Sequence, residues 1–411
     1  MTMLRTPLNA LLVTFLALTS ARAQDSTVAV PVTPADTSYV EYEESPISLP
    51  LGVGIRVPAY DRVNGLTLPW GPKLETSNGR FDLDGLVTYR SNLGAWDPSL
   101  DGVIRTGGSS QFRVFAGRGT FTNDKWMRDD LTNTVTSFFG GSDAHNYYRA
   151  DRGSLRFETT FTGSSLSTTP FLTANYENDW STGSLAPDKS PWSVYGRGGD
   201  QRMKRPNPRI ATGHIASMLG GVAMDILTGG AEGKIDARVE QSLGTSLTAD
   251  CPTVLLGPTC YTPGDRFTQL VVDGRIVFPT FGSQTFSFLG HTVLTGGEGI
   301  APVQRFGYLG GANTLPTVNL LAIGGDQLLF LSGEYKIPFD KIALPYLGNP
   351  FVTLRYAAGN AGVDDIPTLI QNLGLGLGVS LVRLDYTIDP ASNRSIFSRK
   401  SAFSWSISLA F

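Results

Sequence analysis

Histidine, cysteine and charge are all scarce in this 411-residue chain, which has three histidines, two cysteines and only 17% Asp, Glu, Lys and Arg. His145, His214 and His291 lie in separate segments without HxxH or HExxH spacing, so the sequence gives no ground for a metal site. No GxSxG elbow is present to suggest a hydrolase nucleophile. Gly296-Gly297-Glu298-Gly299 and Gly310-Gly311 are followed by neither GK[ST] nor a helical pattern, so no phosphate-cradling loop is expected. A net charge of -3 offers no reason to expect nucleic acid as a partner. The chain reads as a non-enzyme without a cofactor. Long hydrophobic runs are missing too. Beyond the N-terminus no stretch of about 18 uncharged apolar residues occurs, and a transmembrane helix is not expected.

The N-terminus itself has the pattern of an export signal. Arg5 precedes an apolar run from Ala10 to Leu18, and Ala21-Arg22-Ala23 then forms an A-x-A site. This predicts a signal peptide over 1–23, cleaved after Ala23; no cysteine sits at the cleavage site, which argues against a lipoprotein. Residues 24–45 carry Asp25, Asp36, Glu41, Glu43 and Glu44 among Pro and Thr without periodicity, and are expected to form a short disordered periplasmic lead. An exported chain without a spanning helix crosses a membrane only as a closed barrel. Cys251 and Cys260 lie in DCPTVLLGPTCYTPGD, and in an oxidising compartment they are expected to pair across one loop. Their spacing suits neither a zinc knuckle nor a CxxC redox site.

What the chain has in abundance is alternation, together with 47 glycines and 10% aromatics. In the terminal SAFSWSISLAF, Phe403, Trp405, Ile407, Leu409 and Phe411 are large and apolar, and every residue between them is small. That period of two makes one strand face greasy and the other wettable, as a strand between lipid and a polar lumen requires. An aromatic at the very end resembles the C-terminal assembly signal of outer-membrane barrels. Trp405 and Phe411 are therefore assembly-signal candidates, with the barrel assembly machinery as the partner for insertion.

The same alternation runs through Phe81–Arg90, Leu155–Phe161, Leu172–Glu177, Ile235–Leu243, Leu329–Ile337, Val352–Tyr356, Leu373–Val379 and Val382–Ile388. A charge on the lipid face would cost ~2–4 kcal/mol at the midplane, so the interleaved charges must face the lumen. Lys234, Asp236, Arg238, Glu240, Glu334, Arg355, Arg383 and Asp385 are the lumen candidates. With weaker segments added, the expectation is an all-β transmembrane antiparallel barrel of roughly sixteen strands over 46–411. A soluble double sheet shows the same alternation with the faces reversed, so periodicity alone does not separate the two. Long polar connections fall at about 120–151, 181–207, 244–264 and 295–325, and are expected on the outside. The first contains DLTNTVTSFFGG, whose beginning is expected to form a short helix. The second carries Lys189, Arg197, Arg202, Lys204, Arg205 and Arg209, a basic set suited to anionic lipopolysaccharide or simply to solvent.

From Pro302 onward the order of landmarks resembles the barrel of the bacterial surface antigen superfamily, the BamA/TamA type of outer-membrane protein. PVQRFGYLGGANTL at 302–315 resembles the start of that family's inward-folded loop, through Arg305, Phe306, Gly310 and Gly311. GGDQLLFLSGEYKIPF, FVTLRYAAGNAG, NLGLGLGVSLVRLDYTIDP and the strand ending at Phe411 resemble the landmarks that follow. YDRVNGL at 60–66 and NYYRADRG at 146–153 are similar to barrels of this type without periplasmic POTRA domains, for which this chain has no room. The resemblance implies an inward loop with an Arg-Gly-aromatic tip whose arginine meets acidic lumen residues. Here Pro316-Thr317-Val318 follow Leu315, so the tip arginine is missing. The function implied is assembly or translocation at the outer membrane, with membrane lipid and lipopolysaccharide as surroundings and no client or solute specified. A diffusion porin with a charged lumen, or a plugged structural or adhesive surface barrel, are the alternatives.

Overall fold

The computed structural model describes residues 46–182, 205–248, 263–297, 299–342, 349–379, 382–391 and 401–407, with residues 405–407 as backbone only. The signal peptide, the lead, both cysteines, most of the basic 181–207 loop and Phe411 lie outside the described residues.

The chain opens with four strand fragments, β1 (Ile47–Ser48), β2 (Ala59–Asp61), β3 (Gly65–Trp70) and β4 (Lys73–Glu75). β1 pairs with β4 and β2 with β3, so the four fragments occupy two strand positions. Next come β5 (Phe81–Arg90), β6 (Ala95–Gly107) and β7 (Ser110–Phe121). A helix, α1 (Asp130–Gly140), precedes β8 (Tyr148–Thr159) and its short continuation β9 (Phe161–Thr162). The longest strands follow: β10 (Leu166–Ser181), β11 (Thr212–Thr228) and β12 (Ala231–Thr248). Then come β13 (Phe267–Pro279), β14 (Thr285–Gly297), a hairpin of β15 (Gly307–Leu309) and β16 (Ile323–Gly325), and β17 (Gln327–Pro338). β18 (Pro350–Gly362), β19 (Ile370–Val379), β20 (Val382–Ile388) and β21 (Ser401–Ile407) complete the chain. Every strand except β15 and β16 belongs to one antiparallel sheet of 19 segments. Counting β1 with β2, β3 with β4, and β8 with β9 as single positions, the sheet has sixteen.

The faces settle what the alternation leaves open. Leu331, Leu354, Tyr356, Leu375, Leu377 and Leu384 are exposed, while their neighbours Ser332, Thr353, Asn372, Asp385 and Thr387 are buried. A soluble sandwich would bury the first set and wet the second. Apolar side chains outside and polar ones inside are the arrangement of a barrel in lipid. No helix among the described residues is long and apolar enough to cross a membrane. The inward face is not bare. Segments from two connections reach inward residues from Asp179 on β10 to Asn372 on β19, which requires a sheet rolled around them. The fold is a transmembrane antiparallel β-barrel with a filled lumen.

The two rims differ. Short turns such as Gly107-Gly108 and Gly229-Gly230 join strands at one end, with the positive φ that tight hairpins require. The connections 122–147, 182–211, 249–266 and 298–326 all emerge at the other.

Candidate functional site: a plugged lumen

The connection between β14 and β17 turns inward. A short 3-10 turn at Val303–Arg305 leads into the β15–β16 hairpin, with Gly307 opposite Gly325. Beyond Leu309 the chain reverses at Gly310 and Gly311, whose φ values are 121° and 90°. A Cβ on Gly310 would lie 2.0 Å from the Asn319 carbonyl oxygen, so this reversal accepts only glycine. Phe306, at the foot of the hairpin, is buried.

Arg305 is the chief polar anchor. Its Nε donates to Glu240 Oε2 at 2.8 Å and its Nη2 to Glu240 Oε1 at 3.0 Å, the second of these from the nitrogen that also bonds Glu177. Glu177 on β10 is shared with Arg152, whose Nη2 lies 2.6 Å from Glu177 Oε2. All of these groups except Arg152 are at least nine-tenths buried. Beside it, Gln304 Nε2 donates to Asp179 Oδ2 at 3.0 Å and to the Ala211 carbonyl at 3.2 Å. The arginine expected after Leu315 is absent, yet an arginine–carboxylate anchor exists, because Arg305 supplies it from the start of the segment.

The far side of the segment rests on a different surface. Leu309 and Leu315 pack with Val293, Leu328, Phe330, Ala357 and Ala361 of β14, β17 and β18 in one buried cluster. The inner wall here is apolar, where the alternation predicted a polar lumen throughout. Arg355 of β18 holds the tip, its guanidinium donating to the carbonyls of Ala312 (3.0 Å), Asn313 (2.7 Å) and Thr314 (3.0 Å). Asn372 of β19 accepts from Thr317 N at 3.1 Å. One arginine reaches from plug to wall and another from wall to plug.

A second segment, 122–147, also enters the lumen, which corrects its reading as an external loop. The short helix anticipated in it is α1, capped by Asp129 Oδ1 accepting from Thr132 N at 2.8 Å and ended by Gly141 in the left-handed region. Ahead of the helix, Trp126 stacks on His291 of β14, ring centroids 3.9 Å apart, and packs against the apolar cluster. Asn313 Nδ2 donates to the Met127 carbonyl at 2.9 Å, so the two plug segments touch. At the rim, Arg62 N donates to Asp143 Oδ2 at 3.0 Å and Arg62 Nη2 to the His145 carbonyl at 3.0 Å. Arg62 also lies over the Tyr147 ring, 5.7 Å from its centroid, so the YDRVNGL and NYYRADRG stretches meet in one buried cluster.

Asp124, in this second segment, accepts from Asn146 N at 2.6 Å through Oδ2, while its Oδ1 has no partner among the described residues. Burial pushes its carboxyl up to about 7 from the ordinary 3.8, against the pull of that N–H and of Arg205. A folded-state value above the unfolded one means that the folded protein holds the extra proton. Stability therefore falls as pH rises from about 4 to about 7 and levels off above. Asp124→Asn keeps an acceptor for Asn146 and removes the charge. Melting in detergent at acidic and mildly alkaline pH should show the variant gaining on the parent only at the alkaline end. A gain that is constant across the range would show that Asp124 does not titrate in this way.

Of the other lumen candidates, Arg383 bridges Glu334 (2.6 Å) and Asp385 (2.8 Å). Arg238 meets Asp236 at 2.7 Å and Asp273 at 3.4 Å. Lys234 shares their face but is 86% exposed at the short-turn mouth, 3.8 Å from Asp225, and takes no part in the plug contacts. His291 is held by Asp273 Oδ1 through Nδ1. Among the described residues no group of metal-ligating side chains is present.

No protein-family model matches the chain, and no curated protein is significantly similar to it in sequence. Solved structures do match in shape. CdiB from Escherichia coli gives a TM-score of 0.45 at 12% identity, covering 93% of this chain and 67% of that one. The BamA of Haemophilus ducreyi lacking POTRA domains 1–3 gives 0.49 at 13% identity, covering 85% and 68%. CdiB from Acinetobacter baumannii gives 0.45 at 11%, covering 85% of this chain and 58% of its own. The chain is similar in architecture to these barrels.

Proposed function

We propose that this protein is an outer-membrane barrel of the surface-antigen type, held shut at rest, that acts in assembly or translocation at the outer membrane. The burial of Arg305 between Glu177 and Glu240 is the observation that carries this reading. A purely structural filler needs no desolvated arginine on a segment that enters and leaves through one rim. Replacing such buried ion pairs with well-packed apolar groups is often neutral or stabilising, so their retention supports a seat that must be specific and releasable. The sequence landmarks over 302–411 point to the same type. A diffusion porin is the weaker reading, because the lumen is crossed by two segments rather than lined by a free constriction.

Planar-bilayer recording of the full barrel and of a variant lacking 299–322 tests the proposal. The intact protein should be nearly silent and the deletion a large, steady conductor, since an uncovered polar lumen passes ions freely. Steady, ion-selective conductance in the intact protein would favour the porin. Silence in a correctly folded deletion variant would favour a plugged structural barrel. Fractionation that finds the mature chain soluble in the periplasm would remove the reading altogether.

A further inference from the structure

Beneath the plug, toward the short-turn rim, the lumen keeps a cavity of about 330 Å³. That is within the range of small-molecule sites. Its lining includes five arginines, Arg113, Arg152, Arg156, Arg238 and Arg305, against two carboxylates, Asp236 and Glu240. Arg152 and Arg156 are offset by Glu177 and Glu158, which do not line the cavity: Glu177 is fully buried, and the Glu158 side chain, beside Arg156 on the same strand face, is 15% exposed. Guanidinium groups therefore dominate the surface that faces the free volume.

Two of them are placed against each other. Arg113 on β7 and Arg156 on β8 are direct cross-strand partners on the inward face. Like charges directly opposite destabilise a sheet unless something neutralises them. Arg113 has one loose ion pair, 3.7 Å to Asp101, and its side chain is 51% exposed. Arg156 spends its Nε on Glu158 and lays its guanidinium over the Phe171 ring at 3.8 Å. Its two Nη groups have no hydrogen-bond partner among the described residues. Thr173, the cross-strand neighbour of Arg156 on β10, and Ser154 line the same volume with hydroxyls.

We propose that this cavity binds a water-soluble, phosphate-bearing anion, gripped by Arg113 and Arg156 from adjoining strands with Ser154 and Thr173 beside them. Two guanidinium forks match the charge and the several acceptor oxygens of a phosphate group, whereas a monocarboxylate would satisfy one fork only. The site lies inside the barrel, where a lipid headgroup cannot bring its acyl chains, so the source is a soluble solute entering from the short-turn rim.

The test is isothermal titration of the full barrel in detergent with inorganic pyrophosphate, in a buffer free of competing anions. Saturable one-site binding is expected, weakened about tenfold or more by Arg113→Ala or by Arg156→Ala, since each removes charge-assisted bonds. Arg118→Ala is the control, because Arg118 pairs with Asp151 on the opposite face and should leave binding unchanged. Heat-modifiable gel mobility establishes that each variant is folded. If the alanine variants do not fold, Arg113→Lys and Arg156→Lys keep the charge but lose the fork, and should still weaken binding several-fold. Absence of saturable heat in the parent, or equal affinity in the folded arginine variants, would overturn the proposal.

Discussion

Arg305→Ala is expected to unseat the plug, lowering stability by about 3–5 kcal/mol and turning a silent barrel into a conducting one. The cost arises from what stays behind. Glu240 loses both of its bonds to Arg305, while its side chain is only 10% exposed. Glu177 keeps Arg152 and is less affected, which places the effect toward the lower end of that range. Arg305→Lys should recover only part of it, because a single ammonium cannot present the planar fork that spans two carboxylates. Arg305→Ala combined with Glu240→Gln should regain much of the stability, the orphaned charge having been removed, yet remain conductive. Thermal unfolding followed by gel mobility reads the first quantity, and single-channel recording the second. An alanine variant with the parent's melting temperature and a silent trace would be fatal to the idea that this ion pair seats the plug.

The outer wall of this protein was legible because a strand writes its two faces into alternate residues. Leu373, Leu375 and Leu377 against Gly374, Gly376 and Gly378 need no tertiary information to be sorted, and all three leucines are exposed on the lipid side. The number of strand positions and the long connections followed from the same pattern. The lumen was less legible, for two physical reasons. Register between distant strands is not encoded locally, so nothing in the sequence brought Glu177 and Glu240 to Arg305. The apolar seat did leave a trace, in that Leu328-Leu329-Phe330-Leu331 is an unbroken apolar run, the mark of a strand covered on both faces. Read as simple alternation, it yielded only the outward pair. The 122–147 segment has the composition of a solvated loop, and its contact with the apolar part of the wall is made by one aromatic whose partners are on other strands. Trp126, large and apolar within a polar stretch, was the available clue.

That residue should prove as consequential as the ion pair. The Trp126 indole stacks on His291 with the rings 12° from parallel and tilts against Phe330 at 5.6 Å. Its Nε1 has no hydrogen-bond partner among the described residues, so its contribution is contact rather than polar recognition. Trp126→Ala should cost about 3 kcal/mol, through lost burial and a cavity next to the apolar seat. Trp126→Phe, which keeps a ring over His291, should cost much less. Leu131→Ala, on the exposed side of α1, should change stability by no more than about 0.5 kcal/mol. Conductance separates the two plug segments. With Arg305 and Arg355 still holding 299–325, Trp126→Ala should give brief, small openings rather than the steady current of the 299–322 deletion. Full, steady conductance from Trp126→Ala would mean that 122–147 is the principal barrier and the hairpin segment secondary. A parental melting temperature with a silent trace would mean that the second segment merely rests in the lumen, and that the arginine anchors suffice to keep it closed.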